Sequence, residues 1–305
     1  MSLSPRQLAL AAALLFSAPA AAQSPPALPR LMTVAGVMAL PTARPAEVIA
    51  YGEAESQRIE LFLPDKRTEG QALPVVVLIH GGCWQKAVAG RELVRPAATA
   101  LAAKGFAVWS VGYRRVDEEG GGYPGTYLDV AKAIETLEAS AGEFGLDLAR
   151  VAFIGHSAGA HLAAWAAARH RIEKASPLAP EKPPLRPRGI VSMGGLLDLE
   201  GDGWVIRGVC KVDPAEALVN PQAEKPYADT SPAAMLPLGV PVTLVHGVFD
   251  GVSFPELGLA FATAARRAGD QTDVIVAPVS GHFEVIAPGS RAFEQVAEAI
   301  GRFTK

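Results

Sequence analysis

The chain has 305 residues, of which 50% are hydrophobic, and it carries 28 basic against 31 acidic side chains. That length and apolar content suit one large domain, or at most two, with a full core. The formal net charge of −3 and the isoelectric point of about 6.1 exclude the basic footprint of a nucleic-acid-binding protein. No internal stretch reaches the roughly 18 apolar residues that a membrane span needs.

The first residues have the pattern of a secretory signal peptide. Arg6 supplies a positive charge, residues 8–16 form an uninterrupted apolar run, and Pro19 ends that run. Small alanines at positions 20–22 then offer a cleavage site before Gln23. We therefore expect residues 1–22 to be removed near Ala22 and the protein to be exported, to the periplasm or outside the cell.

A proline-rich segment follows. Residues 23–45 contain five prolines, which predicts a linker or an N-terminal arm rather than a domain. Two cysteines, Cys83 and Cys210, lie in the remainder of the chain. An oxidising compartment would allow them to form a disulfide, but geometry decides pairing and sequence does not show it. Both a disulfide and two separate small apolar side chains stay open.

Residues 46–305 alternate between strand-like and helix-like segments, which predicts an α/β fold. The strands are mostly continuous apolar runs, as expected for a mostly parallel central sheet with helices on both faces. The segment at 58–63 alternates polar and apolar residues and predicts an edge strand. The irregular stretch at 196–237 predicts a short cap insertion. The other predicted strands are 74–79, 106–111, 151–154, 190–193, 242–245 and 274–277, and the predicted helices include 93–104, 126–141, 255–268 and 291–303.

The sequence GHSAG at residues 155–159 directly follows a predicted strand and begins a predicted helix. Such a sharp turn holds its central serine, Ser157, at the carboxyl edge of the sheet as a nucleophile. The N–H of Ala158 then lies at the helix N-terminus, where negative charge is stabilised. An ordinary glycine turn or a phosphate-binding loop is the alternative, but no lysine or further glycine follows at the required spacing.

A nucleophilic serine needs a base, and the base needs an acid to orient it. His282 lies on a loop after the last predicted strand, and Asp250 follows the strand at 242–245. Ser157, Asp250 and His282 then occur in the chain order that strand–turn–helix serine hydrolases use. Asp198 also follows a predicted strand and is the competing acid.

Two further histidines flank the serine along the chain. His156 neighbours Ser157 on a strained turn, so its side chain is expected to point away from the site. His161, one helical turn later, is expected to be a packed or hydrogen-bonded core residue.

The stretch that begins at His80 offers the remaining parts of a site. Gly81 and Gly82 follow a buried strand, and glycines let backbone N–H groups face a substrate oxygen without an intervening Cβ. We expect one of these N–H groups to complete an oxyanion hole with Ala158. Aromatic residues in the surrounding loops are candidate substrate-pocket walls, with packing as the alternative role: Trp84, Tyr113, Tyr123 and Trp204.

These motifs resemble the α/β-hydrolase superfamily. Within it the chain is most similar to the hormone-sensitive-lipase-like and kynurenine-formamidase-like esterases, a group with feruloyl and acetyl-xylan esterase-like members. The resemblance runs from about residue 46 to the end and implies the α/β-hydrolase fold. It is carried by HGGCW at 80–84, GYR at 112–114, GHSAGAH at 155–161, HGVFD at 246–250 and HF at 282–283.

The resemblance implies a serine hydrolase acting on a small-molecule ester through an acyl-enzyme. Ser157 would attack the acyl carbonyl, His282 would transfer the proton, and Asp250 would orient His282. Neither a metal nor an organic cofactor is implied, and the oligomeric state stays open. Aryl formamidase activity, acyl transfer to an alcohol, and a non-catalytic binding role on the same fold are the alternatives. Export favours the carboxylesterase over the formamidase.

Overall fold

An eight-stranded sheet forms the centre of the structure, and five of its neighbouring strand pairs are parallel. The computed structural model describes residues 30–68 and 70–305, and Leu31–Lys305 forms one compact unit. The mostly parallel sheet expected from the apolar runs is therefore confirmed. The strands are β1 Glu47–Ala50, β2 Arg58–Phe62, β3 Leu73–Ile79, β4 Ala107–Val111, β5 Leu146–His156, β6 Gly189–Met193, β7 Val242–Gly247 and β8 Thr272–Ala277.

The spatial order of the strands is β1-β2-β4-β3-β5-β6-β7-β8, and the antiparallel pairs within the described residues are β1 with β2 and β2 with β4. The edge position predicted for residues 58–63 is wrong, because β2 is paired on both sides. The outer strand β1 has four residues that are mostly exposed to solvent. Its three apolar residues form a run too short to be recognised as a strand from the sequence.

Helices pack on both faces of the sheet. Side chains of β3 alternate between these faces, as the pleat requires. Val75 and Val77 join the core beneath the helices Gly125–Phe144 and Ala158–Ala168. Val76 and Leu78 join the core beneath the helices Arg95–Ala103 and Arg291–Thr304. Within the described residues, every helix falls short of the length and apolarity that crossing a bilayer requires. The helices are α1 Val34–Met38, α2 Arg95–Ala103, α3 Gly125–Phe144, α4 Ala158–Ala168, α5 Gly203–Val205, α6 Pro214–Ala217, α7 Pro255–Arg267 and α8 Arg291–Thr304.

Two segments that the sequence predicts to be irregular contain short helices. The described part of the proline-rich arm includes α1, which Thr33 caps and which buries Val37 in the same core that α2 and α8 join. The cap insertion at 196–237 contains α5, α6 and a π-helical turn at Ile206–Cys210. The predicted signal peptide at residues 1–22 lies outside the described residues.

The crossing from β5 into α4 brings backbones unusually close. A Cβ at Gly155 would lie 2.1 Å from the carbonyl oxygen of Gly159, and a Cβ at Gly159 would lie 2.2 Å from that of Ile79. Both obstacles are backbone atoms, which cannot rotate away as a side chain can. The two glycines of the GHSAG motif therefore let α4 begin directly above β3 and β5.

Gly159→Ala is expected to lower the free energy of unfolding by about 1–3 kcal/mol, because the added methyl forces two elements apart. Urea denaturation followed by circular dichroism measures the change. Gly142→Ala is the matched control: it lies inside α3 with no atom within 4 Å of the new Cβ, and should raise stability by roughly 0.5–1 kcal/mol. Equal effects of the two substitutions would contradict the close-packing argument.

Candidate active site

Ser157 lies at the turn between β5 and α4 in a conformation that non-glycine residues rarely adopt. Its backbone has φ 53° and ψ −120°, the strain predicted for the centre of the motif. The turn is held because the Ser157 N–H donates to the carbonyl of Met193, at 2.9 Å. Ala158 is the first residue of α4, so its N–H has no acceptor within the helix.

Asp250 and His282 meet at the same edge of the sheet. His282 Nδ1–H donates to Asp250 Oδ2 at 2.8 Å, while Asp250 Oδ1 accepts the N–H groups of Val252 and Ser253, each at 2.8 Å. A carboxylate group can only accept a hydrogen bond, so Nδ1 of His282 carries a proton, and in the neutral imidazole the lone pair is on Nε2. The imidazole is thus oriented with its basic nitrogen away from Asp250.

The electrostatics of this pair keep Asp250 charged. Burial by itself would raise the pKa of the Asp250 carboxyl, but the hydrogen bonds from His282, Ser253 and Val252 outweigh burial and hold the pKa below its usual range. The competing acid, Asp198, instead accepts the N–H groups of Glu200 and Gly201 within its own turn. It therefore does not orient His282.

His156 contributes to the site, contrary to the expectation that it points away. Its Nε2–H donates to the carbonyl of His282 at 2.9 Å, and the centroids of the two rings are 4.6 Å apart. Burial and the neighbouring His282 lower the pKa of His156 to about 3, so its ring is neutral. Sequence missed this role because Ser157 and His156 are adjacent in the chain, whereas His282 joins them only in the folded sheet.

The loop at residues 80–84, which follows β3 and is called the glycine loop below, lies close to Ser157. Gly82 lines the cavity at Ser157 and has φ 108°, and the two residues that follow, Cys83 and Trp84, both have φ 54°. Gly81 lies deeper: a Cβ there would be 2.7 Å from His156 Nδ1 and 3.1 Å from the Ser157 Cβ. Gly81 is thus required by close packing, and Gly82 is the glycine that faces the cavity.

Trp84 and Tyr113 do not form cavity walls, which corrects the sequence prediction. Both are fully buried. Trp84 donates its indole N–H to His161 Nδ1 at 3.2 Å, and His161 in turn donates to the carbonyl of Thr230 at 2.9 Å. The Tyr113 hydroxyl donates to the carbonyl of His80 at 2.9 Å, and the Tyr113 ring stacks on the His80 imidazole. These aromatic side chains hold the glycine loop from behind, and His161 is the hydrogen-bonded core residue expected.

The other two aromatic candidates also lie apart from the serine. Tyr123 lines a separate cleft and contacts Asp229. Trp204 is 62% exposed on the cap insertion and stacks against Phe254. Neither lines the cavity at Ser157.

Cys83 and Cys210 are joined by a disulfide, which resolves the pairing that sequence leaves open. The bond links the glycine loop to the cap insertion across 127 residues of chain. The side-chain amide of Gln85 adds a hydrogen bond to the carbonyl of Cys210, at 2.6 Å. The cap insertion and the loop beside Ser157 are therefore held together covalently.

A cavity of about 240 Å³ opens over Ser157 and His282. Apart from the histidines and the serine, its lining is apolar side chains and backbone. No group of three or more His, Cys, Asp or Glu side chains suited to a metal ion occurs among residues 30–68 and 70–305. The cavity is lined by Val34, Gly82, Cys83, Val88, Ala89, Leu93, His156, Ser157, Val209, Cys210, Val252, His282 and Phe283.

Sequence comparison adds the family. A family model described as BD-FAE matches residues 59–253. The chain belongs to the BD-FAE family. Among curated proteins that resemble this BD-FAE chain, esterase LipC of Mycobacterium tuberculosis is 27% identical over 264 residues, or 84% of this chain and 63% of that protein. Kynurenine formamidase of Salmo salar is 31% identical over 117 residues, or 38% of this chain and 36% of that protein. The chain thus spans less than two thirds of the length of these relatives.

Solved structures share the fold. A truncated carbohydrate esterase from gut microbiota aligns with a TM-score of 0.67 at 19% identity, covering 86% of this BD-FAE chain and 99% of that one. The propionate-bound esterase Est2 of Thermogutta terrifontis aligns with a TM-score of 0.65 at 22% identity, covering 85% and 93%. These likenesses confirm the α/β-hydrolase fold that the motifs imply.

The buried histidines of this BD-FAE chain predict loss of stability in mild acid. Burial lowers the pKa of His80 and of His156 from 6.5 to about 3. Below pH 6.5 the unfolded chain therefore binds more protons than the folded chain. Lowering the pH from about 7.5 to about 5 should therefore decrease the free energy of unfolding by about 2 kcal/mol for each of these two histidines.

Urea denaturation at both pH values measures this dependence. His80→Asn should reduce the difference in unfolding free energy between the two pH values by the contribution of one histidine, about 2 kcal/mol. His170 is exposed, so His170→Asn should leave most of the pH dependence of the unfolding free energy unchanged. A stability that does not change with pH would contradict the neutral, buried state of these rings.

The disulfide predicts a large stability difference on reduction. The double substitution Cys83→Ser with Cys210→Ser is expected to lower the free energy of unfolding by about 2–5 kcal/mol, because the bond closes a long loop in the unfolded chain. Urea denaturation of the variant, and of the parent chain with and without a reductant, measures the loss. A reductant that destabilises the double variant as much as the parent would show that its effect is unrelated to this bond.

Proposed function

We propose that the protein is a serine hydrolase that cleaves carboxylic esters through Ser157, His282 and Asp250. The observation that carries the proposal is the geometry at one sheet edge. A serine held in a strained turn and a histidine oriented by a buried carboxylate line the same cavity. These features support a catalytic triad of nucleophile, base and orienting acid.

In the proposed reaction, Ser157 Oγ forms a bond to the acyl carbon while His282 Nε2 takes the hydroxyl proton. The tetrahedral intermediate then collapses, the bond from carbon to the alcohol oxygen breaks, and His282 returns the proton to the leaving alcohol. Water repeats the sequence on the acyl-enzyme, releasing the acid and restoring Ser157. Asp250 keeps Nδ1 protonated and stabilises the imidazolium at each stage.

The negative charge on the carbonyl oxygen needs donors that are already in place. Ala158, at the first position of α4, and the glycine loop at Gly81 and Gly82 are the proposed donors. Gly82 is favoured over Gly81, because it lines the cavity beside Ser157. Removal of one such donor typically raises the barrier by about 2.7–4 kcal/mol.

Aryl formamidase activity is the alternative on the same residues, and the cavity argues against it for an amino-acid substrate. A substrate with an ammonium and a carboxylate group needs charged partners when it is buried. The cavity lining contains no Asp, Glu, Lys or Arg side chain among the described residues. An uncharged small-molecule ester fits this lining better.

We also propose that the protein is exported. The pattern of the first 22 residues supports a cleaved signal peptide, and the Cys83–Cys210 disulfide supports an oxidising compartment, because such bonds persist there. Expression of the full chain in a bacterial host, followed by mass measurement of the periplasmic protein, is expected to give a chain that begins near Gln23.

Ser157→Ala is expected to abolish hydrolysis of p-nitrophenyl acetate while leaving the unfolding free energy nearly unchanged. Asp250→Asn should reduce kcat by up to about 10⁴-fold, because His282 would adopt the wrong tautomer. Asp198→Asn is the matched control and should leave kcat close to that of the parent chain. Steady-state kinetics, with urea denaturation as the folding check, measure both effects.

A serine-directed organophosphonate should label the peptide that contains Ser157 and stop turnover in proportion. Full activity of Ser157→Ala, or a label on another residue, would contradict the proposed nucleophile. Stoichiometric labelling without turnover of any ester or formamide would favour a binding role for the fold.

A further inference from the structure

The glycine loop ends in a tight turn that its own residues disfavour. The N–H of Gln85 donates to the carbonyl of Gly82 at 2.8 Å, and the two residues between them, Cys83 and Trp84, both have φ 54°. Turns with positive φ at both central positions favour glycine, asparagine and aspartate, whereas Cys and Trp carry a Cβ that opposes this conformation. The turn persists because its surroundings hold it.

Two attachments join this turn to the cap insertion. Cys83 is bonded to Cys210 through the disulfide, and the side-chain amide of Gln85 donates to the carbonyl of Cys210 at 2.6 Å. Cys210 is 4% exposed and is the last residue of the π-helical turn in the insertion. Relaxation of φ at Cys83 would carry its Sγ away from Cys210, and the covalent bond prevents that movement.

Trp84 fixes the turn on the side away from the glycines. Its side chain is fully buried, and its carbonyl accepts the N–H of Val116 at 2.8 Å. Because Trp84 is held in the core, a change of backbone conformation at Cys83 displaces the residues that precede it. The nearest of these is Gly82, which lines the cavity together with Ser157.

We propose that the Cys83–Cys210 disulfide is a positioning group for catalysis, which holds Cys83 at positive φ and thereby keeps the Gly82 N–H directed at the oxyanion. The inference rests on the proposed function, in which Gly82 is an oxyanion donor, and deepens it. Such a donor stabilises the transition state more than the bound ester, because the negative charge develops only in the reaction. Loss of the disulfide therefore lowers kcat and leaves KM nearly unchanged.

The test compares two double variants that both lack the disulfide, with p-nitrophenyl acetate as substrate. The serine double variant, Cys83→Ser with Cys210→Ser, keeps a Cβ that disfavours positive φ; its kcat should fall about 10–100-fold, with KM within about twofold of the parent value. The glycine double variant, Cys83→Gly with Cys210→Ser, has at position 83 the residue that adopts positive φ without a steric cost. Its kcat should stay within about threefold of the parent value.

Leu137→Ala is the control for lost stability. Leu137 is a fully buried residue of α3 and is absent from the cavity lining, so its truncation destabilises the fold without touching the turn. Active molecules are counted in each preparation by the amount of organophosphonate bound to Ser157 at completion. The kcat per labelled Ser157 therefore does not depend on how much of a preparation is folded, and Leu137→Ala should keep the parent value.

The outcomes separate this inference from the proposed function. If the serine double variant keeps the parent kcat per labelled site while Ser157→Ala is inactive, the inference is wrong and the serine esterase stands. Equal losses of kcat in the serine and glycine double variants would also overturn the inference, because φ at position 83 would not be the cause. The same holds if Leu137→Ala loses as much kcat as the serine double variant.

A failure of the proposed function has a different signature. If the parent chain hydrolyses no ester and the organophosphonate leaves Ser157 unlabelled, the proposed function is wrong and the inference falls with it.

Discussion

The close approach of α4 to the central strands is the constraint on which the site depends. Without side chains at Gly155 and Gly159, the helix begins immediately above β3 and β5, and the chain must turn so sharply that Ser157 takes a positive φ. Strain of this kind persists only where the surroundings over-determine it. Here the hydrogen bond from Ser157 to Met193 and the packing of Gly81 beneath it provide that support.

Neutral, buried histidines form much of this support. His156 binds the carbonyl of His282, His161 joins the loop at Trp84 to the cap insertion, and His80 stacks beneath Tyr113. Each of these neutral rings stabilises the site through hydrogen bonds of its nitrogen atoms and not through a charge. Burial lowers the pKa of all three well below neutrality, to between about 3 and about 4. His282, the proposed base, differs from these three: among the described residues it is the only histidine that forms a hydrogen bond with a carboxylate, that of the buried Asp250.

The walls around Ser157 come from distant parts of the chain and are held by two different kinds of bond. A disulfide attaches the cap insertion to the glycine loop through Cys83 and Cys210. A buried carboxylate, Glu284, attaches the N-terminal arm to the loop of the base. Such attachments order the walls before a ligand arrives, and this reduces the conformational entropy that binding would otherwise cost. A small, pre-formed apolar cavity is the result.

Patterns in the chain predict the mostly parallel sheet, the helices on its two faces and the residues at its carboxyl edge. Apolar runs and glycine turns are local signals in the sequence. The order of Ser157, Asp250 and His282 can likewise be recognised from the sequence alone. Which residues surround the serine depends instead on how the folded elements pack. Trp84, although close to the glycines, is buried in the core, whereas Val34, on α1 of the N-terminal arm, lines the cavity. Contacts between residues distant in sequence depend on how the layers pack, and no local pattern in the chain records which of those residues meet.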